Sequence, residues 1–252
     1  DVIVEPAEDR AFTIVAESVD RSGMGRATLA PRLGMVAEVP PLRPRPTLGM
    51  DDMGMAGIDH GAMNSGSMAG MNHGDMNMDM RNPDNAPPDM RVGVGVDMVA
   101  PMPMDRTGHP GIGLTNVGHR VLTYRDLIAL KPNPDRRPPS RAIEIHLTGN
   151  MERYMWSFDG RKFSEVVEPI RFARNERVRV TLVNDTMMQH PIHLHGHFFE
   201  VVNGNPGHHP LKHTVNVLPG SKVTFDLTAD NPGDWAFHCH LLFHMHAGMF
   251  NV

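Results

Sequence analysis

His238-Cys239-His240-Leu241-Leu242-Phe243-His244-Met245-His246-Ala247-Gly248-Met249 is the stretch whose reading decides the fold and its chemistry. The segment leading into it, Asp234–Cys239, reads as a strand, and along a strand successive side chains point to opposite faces. His238 and His240 therefore share one face, and Cys239 points to the other. A short extended segment of this kind can serve two metal centres on opposite sides. Cys239, His244 and Met249 are evenly spaced, so a loop after the strand can fold an imidazole and a thioether back around the thiol.

A second histidine cluster, His190-Pro191-Ile192-His193-Leu194-His195-Gly196-His197, opens another apolar run. By the same alternation His193 and His195 project together. His190, brought across from a neighbouring strand, would complete a set of two His, one Cys and a weak Met. That is the ligand set of a blue-copper electron-transfer site, and soft thiolate and thioether donors suit copper in both oxidation states. On the opposite face His193, His195, His238 and His240 converge. Four imidazoles without a second Cys do not make the usual structural zinc site, whereas imidazole clusters suit copper.

The sequence around these clusters predicts an all-β fold. Ala142–Leu147, Arg153–Phe158, Val178–Val183, Ile192–Val202, His213–Val217, Val223–Leu227 and Asp234–Cys239 alternate or run apolar between turn residues, as in a Greek-key β-sandwich or barrel. Upstream, Thr123-Tyr124-Arg125-Asp126 predicts a short capped helix. Ala11–Ala16 and Gly25–Leu29 predict two further strands, too few for a sandwich of their own. Residues 39–48 are punctuated by proline. Residues 49–104 are rich in Met, Gly, Asp, Asn and Pro and poor in core-forming residues, so they are expected to lack fixed structure without metal.

Composition narrows the alternatives. The chain has 252 residues with 21 Met and 16 His but one Cys, which excludes an internal disulfide. A net charge of −5 argues against nucleic acid as a partner. No apolar run reaches membrane-spanning length.

The motifs HPIHLHGH and HCHLLFHMHAGM resemble the third cupredoxin domain of multicopper oxidases. With LTGNMERYMWSFDG, TLVNDTMMQHPIHLHG, KHTVNVLPGSK, TLAPRLGM and LRPRP, the likeness extends to the bacterial copper-resistance (CopA-type) subgroup and covers most of the chain. The resemblance implies that His190, Cys239, His244 and Met249 bind type 1 copper and His193 binds type 2 copper. It further implies that His195, His238 and His240 bind the type 3 pair, with four coppers in the full-length protein. His238, Cys239 and His240 would carry electrons between the centres. His197, His208, His209, His213 and His246 are not carried over as ligands, although His213 could orient the type 1 site.

In this family an N-terminal cupredoxin domain supplies two more His-x-His pairs. Before residue 190 only the isolated His60, His73, His109, His119 and His146 occur. The chain therefore reads as a C-terminal fragment. Residues 1–38 would end a second cupredoxin domain, 39–108 would be a linker with copper(I)-binding capacity, and 109–252, with its core at 141–252, would be the third domain. Alone it is expected to be inactive. The interval Met245-His246-Ala247-Gly248 also lacks the carboxylate that many relatives place there, so a proton donor must come from elsewhere.

The implied activity is oxidation of copper(I) or phenolic compounds, one electron at a time, coupled to reduction of dioxygen to water, in periplasmic copper resistance. The alternative is a copper-sequestering or electron-transfer cupredoxin without oxidase activity. In the Met-rich stretch, Met50, Met53, Met55, Met68, Met71, Met76, Met78, Met80, Met102 and Met104, with His60 and His73 between them, offer soft donors for cuprous ion.

Overall fold

A computed structural model describes residues 3–49, 52 and 79–252. Near the N-terminus, β1 (Phe12–Glu17) and β2 (Met24–Leu29) form an antiparallel ribbon that pairs Phe12 with Leu29 and Glu17 with Met24. Ile14 and Leu29 of this ribbon remain exposed. Its turn is pinned to later chain by Arg21, whose Nη2 donates to the Ile112 carbonyl at 3.3 Å.

The rest of the fold is a two-sheet sandwich. The larger sheet contains β3 (Met104–Asp105), β4 (Arg141–Asn150), β5 (Met155–Phe158), β6 (Arg177–Asn184), β8 (Phe199–Val201), β9 (Leu211–Lys212) and β11 (Ser221–Thr228). Its main path runs β5-β4-β6-β11-β8-β9, with β3 alongside β11. The smaller sheet runs β10-β7-β12-β13, from β7 (His190–Leu194), β10 (Thr214–Val217), β12 (Phe237–Cys239) and β13 (Phe250–Asn251). Among the described residues the one α-helix is α1, Leu242–His246.

Alternation builds the core. Val178, Val180 and Leu182 of β6 and Val223, Phe225 and Leu227 of β11 face inward to meet Ile192, Leu194, Val215, Val217, Phe237 and Cys239 of the smaller sheet. Phe158 stacks on Phe237 across the two sheets with ring centroids 5.0 Å apart. On the outer face the register sets Arg179 opposite Asp226, and they pair at 2.8 and 2.9 Å.

The predicted run Ile192–Val202 is two strands. After β7 the chain leaves the smaller sheet and β8 joins the larger one. Gly196 makes the corner with φ 69°, and a Cβ there would run into the Trp235 indole. The predicted helix at Thr123 is a single 3-10 turn, Tyr124–Asp126, closed by Asp126 Oδ2 accepting from the Thr123 backbone N–H at 2.8 Å and hydroxyl at 2.7 Å.

Residues 79–104 differ from the expectation of unpacked chain. Met90, Val99 and Ala100 are buried. Backbone N–H groups of Arg91 and Asp97 donate to the carbonyls of Asp159 (3.1 Å) and Gly149 (3.0 Å), and Ala100 N–H donates to Asp185 Oδ1 at 2.8 Å. Scattered valines among Gly and Asp give a weak apolar signal, but the β4–β5 edge offers them partners, so this strap lies on the sandwich. The Met-rich motifs from Met50 through Met78, Met50 included, lie outside the described residues.

Beneath the strap, buried His146 sits 2.7 Å from Asp185 Oδ2 and 3.2 Å from Glu144 Oε1. Burial alone would lower its pKa, but the hydrogen bond and charge of Asp185, helped by Glu144, push it from 6.5 up to about 9. A folded-state pKa above the unfolded one stabilises the fold fully below the unfolded value, and that contribution disappears as pH rises through the folded one. Urea denaturation is therefore expected to show roughly 1–3 kcal/mol lost between about pH 6 and about pH 10 through this group. His146→Gln should flatten that part of the profile, and an unchanged slope would contradict the pairing.

Candidate metal centre

In β7 the residues His190, Ile192 and Leu194 are buried while Pro191 and His193 are less so, as alternation requires. In β12, Phe237 and Cys239 belong to the core. The antiparallel register of the two strands sets Cys239 opposite Ile192, His238 opposite His193 and Phe237 opposite Leu194. The thiol thus enters the sandwich, and the flanking imidazoles leave by the other face.

On the core side three donors converge. Cys239 Sγ lies 3.7 Å from His190 Nδ1 and 3.7 Å from His244 Nδ1, and the two ring nitrogens are 3.1 Å apart. All three residues are buried, and they are the one such His/Cys/Asp/Glu grouping among the described residues. Helix α1 returns His244 to the cluster one turn after the strand. Gly248 then reverses the chain with φ 130°, where a Cβ would strike Lys162 and sit 2.7 Å from the Trp156 carbonyl. Met249, fully buried, follows at once, its N–H bonded to His244 O at 3.0 Å and its carbonyl accepting from Cys239 N–H at 3.1 Å.

Two residues that sequence reasoning missed hold this cluster. The Thr186 hydroxyl lies 2.8 Å from His190 Nε2 and 2.9 Å from Asn184 Oδ1. By accepting the Nε2 proton it leaves the Nδ1 lone pair facing the sulfur. Trp156 stacks on His244 with centroids 4.2 Å apart and planes at 16°. Neither residue belongs to a histidine motif, so spacing could not have found them.

Burial lowers the pKa of His190 to about 3, with some help from the neighbouring His244, and that of His244 to about 4. Both rings are neutral donors at physiological pH. Burial pushes the Cys239 thiol up to about 12, opposed by a Leu241 backbone hydrogen bond. A cation in the cluster is what would favour its thiolate.

On the outer face the four other imidazoles form a second group. Ring centroids of His193 lie 4.6 Å from His195, 5.6 Å from His238 and 5.7 Å from His240. His195 Nε2 is 3.0 Å from His238 Nε2. His193 Nδ1 donates to His213 O at 2.6 Å and His238 Nδ1 donates to Cys239 O at 2.9 Å, which leaves their Nε2 lone pairs outward. Fixing one ring nitrogen to set the other as ligand is common at metal sites. His213 is on this face against His193, not beside the sulfur. His197 instead packs edge-on to Trp235, and His208 Nδ1 bonds Ala129 O at 2.9 Å.

A buried thiol with two neutral imidazoles and an adjacent thioether is a copper donor set, and an all-imidazole group behind it fits further copper. Residues 136–252 match the family model described as Multicopper oxidase. That stretch is similar to the multicopper oxidases, a family whose cofactor is copper. Over its length, 99% of the chain aligns with the copper resistance protein A homolog of Pseudomonas syringae pv. tomato at 50% identity, covering 45% of that protein. Copper resistance protein A of Escherichia coli aligns with 99% of the chain at 46% identity, covering 46% of its own length. The chain thus spans a little under half the length of these relatives. The solved blue copper oxidase of Nitrosomonas europaea superposes with a TM-score of 0.41 at 22% identity, over 49% of this chain and 45% of that one.

Thr186→Val removes the acceptor that orients His190 while keeping size and branching. Copper affinity of the core-side cluster is expected to fall about tenfold or more, the range seen when such supporting partners are lost. Competition with a chelator would measure it, with circular dichroism unchanged.

Proposed function

We propose that this chain is the copper-loaded C-terminal part of an oxidase that couples one-electron oxidation of copper(I), or of phenolic reductants, to reduction of dioxygen to water. The observation that carries the reading is the split at β12, which sends Cys239 into the core and His238 to the outer face beside His193. A simple electron carrier needs only the core-side cluster. Four imidazoles held together on the opposite face have no use in such a carrier.

In this reading His190, Cys239, His244 and Met249 hold type 1 copper, His193 holds type 2 copper, and His195, His238 and His240 hold the type 3 pair. Copper bound there would accept electrons singly and collect them for dioxygen. The chain's own part is to keep neutral imidazoles and one thiol aimed at fixed points and to exclude water from the sulfur. The backbone of residues 238–240 is the shortest covalent link between the two groups. The remaining imidazoles would come from an N-terminal cupredoxin domain outside this chain, with residues 1–38 ending a second domain and residues from 109 onward forming the third.

Copper resistance is the physiological role that fits the relatives' names, and the periplasm is the compartment proposed for it. No helix among the described residues is long and apolar enough to cross a membrane. The Met-rich segment, by the softness of its thioethers, would bind copper(I) for delivery or storage.

In the full-length protein, Cys239→Ser should abolish both the intense blue absorption and oxygen uptake. His240→Ala should keep the blue absorption but lower oxygen consumption by orders of magnitude, since only the outer group is broken. Oxygen uptake at the parent rate in His240→Ala would overturn the assignment of the outer group.

Replacing the methionines between residues 50 and 80 with Ser should cut copper(I) binding several-fold, measured with a competing copper(I) chelator. Blue absorption should stay unchanged. Full retention of copper(I) binding would rule out the thioether role.

A further inference from the structure

We propose that Tyr154 and Trp156 are the electron inlet of this protein, a column of rings that carries single electrons from a reductant at the surface to His244. The proposal rests on the metal-centre reading above and adds the route by which that centre is filled.

His244 is 4% exposed and Trp156 3% exposed, so a reductant of any size meets neither ring face directly. Tyr154 is 56% exposed. Its ring meets Trp156 edge to face, with centroids 4.7 Å apart and planes at 88°, and Trp156 lies flat on His244 at 4.2 Å. Three π systems in van der Waals contact therefore join solvent to a ring whose Nδ1 is 3.7 Å from Cys239 Sγ.

Three further observations indicate that the column is built for its ring contacts. First, Tyr154 has φ 53°. A bulky side chain rarely adopts this left-handed conformation, which Gly or Asn takes easily. The turn is closed by Tyr154 N–H to Met151 O at 3.3 Å and Arg153 N–H to Asn150 Oδ1 at 3.0 Å, neither of which needs an aromatic ring. Strain of this kind collects at functional positions. The strap pins the same turn, with Asn150 Nδ2 donating to Val94 O at 2.9 Å.

Second, Gly149 leaves room for the indole to lie flush on β4. A Cβ at this position would sit 2.9 Å from Trp156 Cδ1, so the ring could not keep its place there.

Third, the Trp156 Nε1–H is buried with no hydrogen-bond partner, although buried indoles usually find one. The residue is placed for its ring face, and no acceptor waits for its proton. Charge therefore crosses Trp156 without proton transfer.

The step balances simply. A one-electron reductant, such as an outer-sphere metal complex or a phenol, is oxidised by one electron beside Tyr154. Copper(II) held by His190, Cys239 and His244 would take up that electron. The rings between are unchanged, and a proton released by a phenol goes to solvent.

The test uses the full-length copper-loaded protein under anaerobic conditions, with ferrocyanide as the probe and bleaching of the blue absorption followed by stopped flow. Copper content, the copper(II) electron paramagnetic resonance spectrum and the reduction potential are recorded for each variant. Tyr154→Leu should keep metal, spectrum and potential but lose most of the bleaching rate, and Trp156→Leu should lose at least as much, part of which Trp156→Phe should recover. The parent rate should be the same in heavy water. Tyr154→Leu is at the surface, so it carries the test even if Trp156→Leu does not fold. The inlet is overturned if Tyr154→Leu bleaches at the parent rate, or if any slowing matches a shifted potential. Absence of blue absorption in the parent protein would instead overturn the metal-centre reading.

Discussion

A pleated strand cannot point neighbouring side chains the same way, and in β12 that constraint falls on His238, Cys239 and His240. Pairing with β7 fixes which face is which, because Cys239 sits opposite the fully buried Ile192. A slip of one residue in that register would expose the thiol and bury two imidazoles. The core residues Phe237, Ile192 and Leu194 therefore do more than fill space. Their burial free energy opposes the slip and keeps the thiol cluster and the four outer imidazoles on opposite sides of a single layer of backbone.

Periodicity made this central part legible. The alternation of His and apolar residues in 190–195 and 237–240 specifies strand, face and partner together, and the resemblance added the division of labour among the imidazoles. Thr186 and Trp156 were not legible, because their roles depend on where a turn and a distant strand come to lie. The corner at Gly196 was hidden for a similar reason. The stretch from Ile192 to Val202 looks like one strand in sequence, but the chain turns at Gly196, crowded by Trp235, and passes from one sheet to the other. His213, left out of the ligand set, lies against His193 on the outer face, a neighbour that could not be read from its own surroundings.

Residues 79–104 show where composition misleads. Their Met, Gly and Asp content is that of an unstructured tract, but Val99, Ala100 and Met90 find cover and the backbone finds carbonyl and carboxylate partners on the β4–β5 edge. Few apolar residues suffice when the surface they meet is already formed. The buried His146–Asp185 pair supplies one of those partners, so the seating of the strap and the ionisation of His146 are joined.

Gly248 fixes the length of the peptide between Cys239 and Met249. Its backbone angle and its contact with the Trp156 carbonyl allow no side chain, and the helical turn before it uses every residue available. The spacing acts as a ruler: one residue more or less would bring a different atom to the thioether's place. Divergence at this centre should therefore proceed by exchanging side chains on a loop of constant length, while loops elsewhere on the sandwich remain free to grow or shrink.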